Sequence, residues 1–232
     1  TTIGDSAFEN AFVNSANSFS FTAPSSLVSI GNNAFKNSSL KSFSLGNASK
    51  VTIGSNVFDG CTNLTSLNLS NSTISAFGNN AFQNTAFTKL VFSNGTTNNN
   101  EGELILPAYL LNNQVWAGAA AGLGLLGTAN GGVFNSSKIE IVTFEDGITI
   151  DKLPDFIFAN MTNLKTIENL PKSIKILGKY AFANTAITDF DDKNGWSALD
   201  NLLLISEGTF ANCSSLTRVA IQNPNFMAAY DS

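Results

Sequence analysis

Two cysteines, a cluster of aspartates and a few scattered carboxylates are the side chains of this 232-residue chain whose types suggest covalent or metal chemistry. Histidine is absent, which removes a Ser-His-Asp or Cys-His nucleophile system and any His/Cys zinc cluster from within the chain. Asp189, Asp191 and Asp192, with Asp200 nearby, form the densest acidic group, and carboxylates at alternate positions suit Ca2+. Their spacing lacks the Gly and distal Glu of a calcium loop, and Lys193 is adjacent, so a solvated loop at a strand end is expected. A glycosidase pair would be drawn from Asp151, Asp155 and Glu168, but such a pair is defined by a separation in space that spacing along the chain does not supply. The expectation is a non-enzymatic chain with no catalytic, cofactor or metal site.

Composition narrows the partners. Hydrophobic residues make up 43%, enough for a substantial core, while charged residues make up only 12% against a usual share of roughly 25%. Asn, Ser and Thr fill the polar positions, and the net charge is −5. Such a surface has little long-range field, so neither nucleic acid nor an anionic membrane is an expected partner. No apolar stretch is long enough for a membrane-spanning helix, so this segment is not expected to insert into a membrane. The 19 Phe outnumber 3 Tyr and 2 Trp; lacking a polar handle, they point to buried structural positions.

What must position all of these residues is a repeat. Ile30-Gly31-Asn32-Asn33-Ala34-Phe35-Lys36-Asn37 recurs as Phe77-Gly78-Asn79-Asn80-Ala81-Phe82-Gln83-Asn84, as Ile3–Asn10 and as Leu177–Asn184. With the Phe as anchor the series is Phe8, Phe35, Phe58, Phe82, Leu111, Phe134, Phe158, Phe182 and Phe210, in steps of 27, 23, 24, 29, 23, 24, 24 and 28. That period falls within the roughly 20–29 residues of leucine-rich repeats. An apolar residue stands five positions before nearly every anchor, including Leu106 before Leu111; Ala129 is the weak one. A second half-repeat follows, as in Leu64/Leu67/Leu69, Phe87/Leu90/Phe92 and Ile139/Val142/Phe144, and its terminal alternation predicts a strand with one buried face. The Ala-Phe segment, opened by Gly-Asn-Asn, predicts a turn into a short helical or 3-10 piece. The expected fold is an α/β repeat solenoid of about nine strand–turn–short helix coils, with stacked parallel strands and an internal Phe ladder, forming one domain over 1–232. One coil cannot bury its own apolar face, whereas stacked coils share a continuous core.

The motif resembles the BspA-like leucine-rich repeat, most closely in Ile53-Gly54-Ser55-Asn56-Val57-Phe58-Asp59-Gly60-Cys61-Thr62-Asn63-Leu64-Thr65-Ser66-Leu67-Asn68-Leu69 and again in Phe210–Leu216. The resemblance covers nearly the whole chain. It implies a cell-surface or secreted protein concerned with adhesion to a host or microbial surface protein or glycan, and it supplies no catalytic residues. The pattern lapses over about 112–133, where the Gly/Ala-rich segment 117–132 carries no strand leucines. Two readings stand for it: a degenerate coil whose small residues pack closely, or an exposed apolar loop for self-association or a partner.

Cys61 and Cys213 both lie three residues after their anchors, the slot of Ser38, Thr85, Met161 and Thr185 elsewhere. Coils stacked about 5 Å apart would hold the two sulfurs on the order of 30 Å apart, so both are expected to be free thiols. Strand alternation predicts a solvent-facing stripe: Ser18/Ser20, Ser42/Ser44, Ser66/Asn68, Lys89/Val91, Ile141/Thr143, Thr166/Glu168, Asp189/Asp191 and Arg218/Ala220. In solenoids this face is the usual ligand platform, although a plain solvated sheet would look the same. Nine Asn-x-Ser/Thr sequons, among them Asn37-Ser38-Ser39, matter only on a glycosylating secretory route. The function expected is a non-enzymatic adhesion or ligand-binding module acting through the strand face. The alternative is a structural spacer or assembly unit of a longer repeat protein, since the chain starts within a coil and ends soon after its last strand.

Overall fold

The computed structural model describes residues 1–13, 18–95, 98, 100–112, 133–135, 137–190, 200–221 and 223–226. Along the chain run β1 (Thr2–Ile3), β2 (Phe19–Thr22), β3 (Ser29–Ile30), β4 (Leu40–Ser44), β5 (Val51–Ile53), β6 (Leu67–Asn68), β7 (Ile74–Phe77), β8 (Lys89–Ser93) and β9 (Glu103–Pro107). After the 3-10 segment η1 (Ala108–Leu111) come β10 (Ile141–Phe144), β11 (Lys152–Leu153), β12 (Thr166–Glu168), β13 (Ile176–Leu177), β14 (Asp189–Phe190), β15 (Leu204–Ile205) and β16 (Arg218–Val219). All the strand pairings are parallel. The short strands ahead of each Gly-x-x-Ala-Phe segment stack as β1-β3-β5-β7 and β11-β13-β15. The L-x-L strands stack on another side of the coil, as β2-β4, β12-β10-β8-β9-β6 and β14-β16. This is a leucine-rich-type repeat fold of stacked parallel strands with almost no helix among the described residues.

The Ala-Phe segments depart from the expected helix. The backbone N–H groups at the anchor and two residues to either side donate into the next coil: Asn33 to Ser55, Phe35 to Val57 and Asn37 to Asp59 at 2.8–3.0 Å. The same set runs from Phe156, Phe158 and Asn160 to Lys179, Ala181 and Ala183. Where the flanks of an anchor are described, two left-handed residues bracket it, as do Asn33 and Asn37, Asn56 and Gly60, Asn80 and Asn84, Phe156 and Asn160, Tyr180 and Asn184. A right-handed helix cannot contain them, and inter-coil bonding satisfies the backbone groups that a helix would otherwise use. The preference of Asn for the left-handed region explains why the motif is rich in it. The motif Gly meets a different need, close approach: a Cβ on Gly54 would sit 2.8 Å from the Asn32 backbone nitrogen of the preceding coil.

Phe35, Phe58, Phe82, Phe158 and Phe182 are fully buried. Anchor rings stack coil to coil, from Phe8 to Phe35 at 5.0 Å, Phe35 to Phe58 at 5.9 Å, Phe58 to Phe82 at 5.7 Å and Phe182 to Phe210 at 5.5 Å. Strand phenylalanines meet them edge-on, as Phe43 does Phe35 and Phe58. Each such buried ring is worth roughly 1.5–3 kcal/mol in removed apolar surface, with about 0.5–1.5 kcal/mol more per aromatic pair.

The middle of the chain corrects the coil count. Phe82 stacks directly on Phe134 at 6.1 Å, a gap too small for another ring or a leucine between them. Leu111 therefore anchors no coil of its own, and Leu106 belongs to β9, which inserts between β6 and β8 in the L-x-L stack. All five of its residues are buried, and Leu104 and Leu106 belong to the hydrophobic core. η1 follows, and the Tyr109 hydroxyl docks on β7, accepting from the Ile74 N–H at 2.5 Å. The rest of the degenerate stretch, including segment 117–132, lies outside the described residues.

Candidate functional site

Pairing puts the outer side chains of the five-stranded sheet in two rows. One runs Thr166–Ile141–Lys89–Glu103 and the other Glu168–Thr143–Val91–Ile105–Asn68. At one end of the stripe Ser42 and Ser44 stand opposite Ser20 and Thr22, both exposed on β4. At the other, Asp189 stands opposite the exposed Arg218. Ser66 precedes β6 and is half-buried, and Asp191 lies outside the described residues. The stripe departs from expectation at Val91. It is only 5% exposed and lies directly opposite Ile105, at 0%, so these two outward aliphatics are withdrawn from solvent. The inserted strand supplies that neighbour, and it also brings Glu103, absent from the expected stripe, next to Lys89.

Around Lys89 the charges compensate one another. Its ammonium lies 3.4 Å from Glu168 and 4.0 Å from Glu103. The Thr143 hydroxyl donates to Glu168 at 2.6 Å, and that bond, reinforced by Lys89, holds the Glu168 carboxyl below its usual range. Glu103 also accepts from the Asn100 backbone N–H and side-chain amide at 3.2 and 2.8 Å. An ionised, hydrogen-bonded carboxylate is suited to recognition rather than to proton donation. Asp151 and Asp155 do not join it: they pair with Lys175 and Lys152 beside β11, in the other strand stack. Asp189 accepts from the Thr217 hydroxyl at 2.9 Å, and Asp192 lies outside the described residues. Among the described residues no group of three or more His, Cys, Asp or Glu is placed to hold a metal.

Both cysteines are free. They make equivalent bonds, Cys61 to the Phe35 carbonyl and Cys213 to the Phe182 carbonyl, each at 3.0 Å into the preceding anchor. Burial pushes the Cys61 thiol up to about 11, which makes it a packing element rather than a nucleophile.

The turn face holds a second feature. The position two residues before the anchor is Ser6, Asn33, Asn56 and Asn80 in the first coils, then Phe156 and Tyr180, then Gly208, all with φ between 52° and 61°. Left-handed geometry costs an ordinary side chain roughly 1–2 kcal/mol, and a bulky aromatic is an outlier there. The Phe156 and Tyr180 rings stack at 5.2 Å and 5°, recovering about 0.5–1.5 kcal/mol, less than two strained residues forfeit. Comparing coils at that position would have shown the aromatic pair from sequence.

A model of the BspA-type leucine-rich repeat region matches the chain in 6 copies, over residues 1–102 and 128–229, and its break spans β9 and η1. No curated protein matches the sequence. Among solved structures, a leucine-rich repeat protein from Bacteroides ovatus is 20% identical with a TM-score of 0.44, the match covering 96% of this chain and 64% of that one. A leucine-rich repeat protein from T. pallidum is 18% identical with a TM-score of 0.41, over 79% of this chain and 69% of that one. A leucine-rich cell surface protein from Faecalibacterium prausnitzii is 18% identical with a TM-score of 0.25, over 95% of this chain and 76% of that one.

Proposed function

The chain belongs to the BspA-type leucine-rich repeat family, and from that premise we propose that it is a non-enzymatic binding module of a cell-surface or secreted protein. Its partner is a surface protein or glycan, held on the outer face of the L-x-L strands, and adhesion is the role. The observation that carries this reading is the polar patch of Lys89, Thr143 and Glu168, backed by the buried Glu103, which adjacent in-register rows of a rigid parallel stack bring together. Side chains fixed on strands present recognition groups with little ordering cost. The same reading takes the molecule as a superhelix with an internal Phe ladder, supported by the ring contacts from Phe8 through Phe82 to Phe134. The test is a panel of matrix proteins and glycans bound to the intact chain. Charge reversal at Lys89 and Arg218 is expected to weaken the captured partner about tenfold or more. Binding untouched by either reversal, or no binding to any member of the panel, would sink the strand-face reading. Silence across the panel favours a spacer or assembly unit, a reading supported by the mutual compensation of the charges around Lys89.

A further inference from the structure

The turn face of the later coils carries a groove of about 370 Å³ between the two columns of left-handed residues. We propose that this groove is a binding site for a neutral linear oligosaccharide, lying across the coils anchored by Phe158, Phe182 and Phe210. It is independent of the strand-face reading, because its residues belong to the turns that follow β11, β13 and β15.

Three observations point to that ligand class. One wall is the stacked pair Phe156 and Tyr180, both half-buried; a Cβ on Gly208 would clash with Tyr180 Cε1, so the next coil carries no side chain against that ring. The facing wall is an amide row, in which the Asn184 amide donates to the Asn160 oxygen at 2.7 Å and Asn212 follows at the same coil position. That bond uses one donor and one acceptor of the pair, and each amide group carries two donors and two acceptor lone pairs, so hydroxyl-binding capacity remains. Between the walls the floor is Ala159, Ala183 and Ala211.

The floor is particular to these coils. Directly after the anchor the earlier coils carry Glu9, Lys36, Asp59 and Gln83, and an ion pair between Lys36 and Asp59 at 3.0 Å spans that position. Three alanines in succession empty the same strip of surface. No lining residue carries a carboxylate, ammonium or guanidinium, which selects an uncharged ligand. Apolar ring edges and methyl groups suit the C–H surface of a sugar ring, and amides suit its hydroxyls. The amides recur once per coil, so a chain of like units meets like contacts at each step.

Titration calorimetry of the intact chain with β-1,4-linked glucose and xylose hexasaccharides, beside a uronic-acid oligomer, tests this. One variant joins Phe156→Asn to Tyr180→Asn, installing the residue that the column carries at Asn33, Asn56 and Asn80. The other, Ala183→Gln, fills the floor with the side chain that Gln83 contributes in an earlier coil. A neutral hexasaccharide is expected to bind, and each variant to weaken it about tenfold or more. The asparagine variant is expected to keep or raise Tm, since the left-handed position favours Asn, and Lys89→Glu to leave this binding unchanged. The proposal is overturned if neither neutral hexasaccharide binds at millimolar concentration, if only the charged oligomer binds, or if Ala183→Gln binds like the parent. A fall in Tm of the asparagine variant would assign the aromatic pair to packing, and the filled-floor variant then decides alone.

Discussion

The coils anchored by Phe8 to Phe82 and those anchored by Phe158 to Phe210 share a backbone and differ in what they put on it. In both, left-handed residues bracket the anchor and the same three N–H groups bond to the next coil. Outside that frame the earlier coils show serines on the strand face and asparagines and charged side chains on the turn face. The later coils show ion pairs such as Lys165–Glu140, Lys175–Asp151 and Lys179–Glu207, an aromatic pair and an alanine floor. A repeat frame held by backbone bonds and buried rings leaves its outward positions free to diverge, so function is to be sought where coils differ rather than where they agree.

If the frame is common, its core should be equally costly to damage in both regions. Phe58→Ala and Phe182→Ala each remove a fully buried ring that touches neighbouring rings on both sides, and each is expected to cost about 3–5 kcal/mol. Urea unfolding of the two variants checks this. A difference of more than about 2 kcal/mol would break the equivalence, because that exceeds the usual spread from local relaxation. Phe210 is only partly buried, and its loss is expected to cost less than either.

How much of this was legible beforehand depended on whether spacing or pairing decided the outcome. The buried Phe anchors, the slot shared by Cys61 and Cys213, and exposed strand positions such as Ser42, Ser44 and Arg218 follow from period and alternation, which sequence displays. Leu111 was misread because its steps of 29 and 23 fall inside the allowed range, while the pairing of β9 between β6 and β8 is a long-range fact. Glu103 was missed with it. The short helix was misread because Asn-rich turns open helices as readily as they hold left-handed positions. Nothing local distinguishes the two until the next coil offers its carbonyls.

The shared cysteine slot compares the two regions at one atom. Cys61 is fully buried and Cys213 only partly, so a thiol reagent is expected to label Cys213 in the native protein and Cys61 only on unfolding. Cys61 also links stability to alkaline pH. Its folded value of about 11 lies above the ordinary 9.0, so the thiol's contribution is complete below pH 9 and is lost as pH rises through about 11. A shift of that size corresponds to about 2–3 kcal/mol. Cys61→Ser, which places there the residue found at Ser38 in the neighbouring coil, is expected to flatten that alkaline loss. Equal slopes for parent and variant would remove Cys61 as its source.

The smallest expected effect separates the two kinds of charge. Asp59 in the earlier coils has a side chain 8% exposed, bonded to Lys36 at 3.0 Å and to the Asn84 amide at 2.9 Å. Glu168 on the later strand face has a side chain 43% exposed. Asp59 is the buried member, while Lys36 stays 30% exposed and can be solvated, so Asp59→Asn is expected to cost about 1–3 kcal/mol through the bonds lost at the buried carboxylate. Glu168→Gln is expected to cost at most about 1 kcal/mol, screened further by salt. Because the folded Glu168 carboxyl titrates below its unfolded value, its contribution is present above the ordinary carboxylate range and is lost as pH falls through the lowered one. Denaturation of both variants at low and high salt decides the matter: the Asp59 cost should persist in salt and the Glu168 cost should shrink. If Glu168 proved as costly as Asp59, the later strand face would be holding the coils together, and its charges would no longer be free to serve a partner.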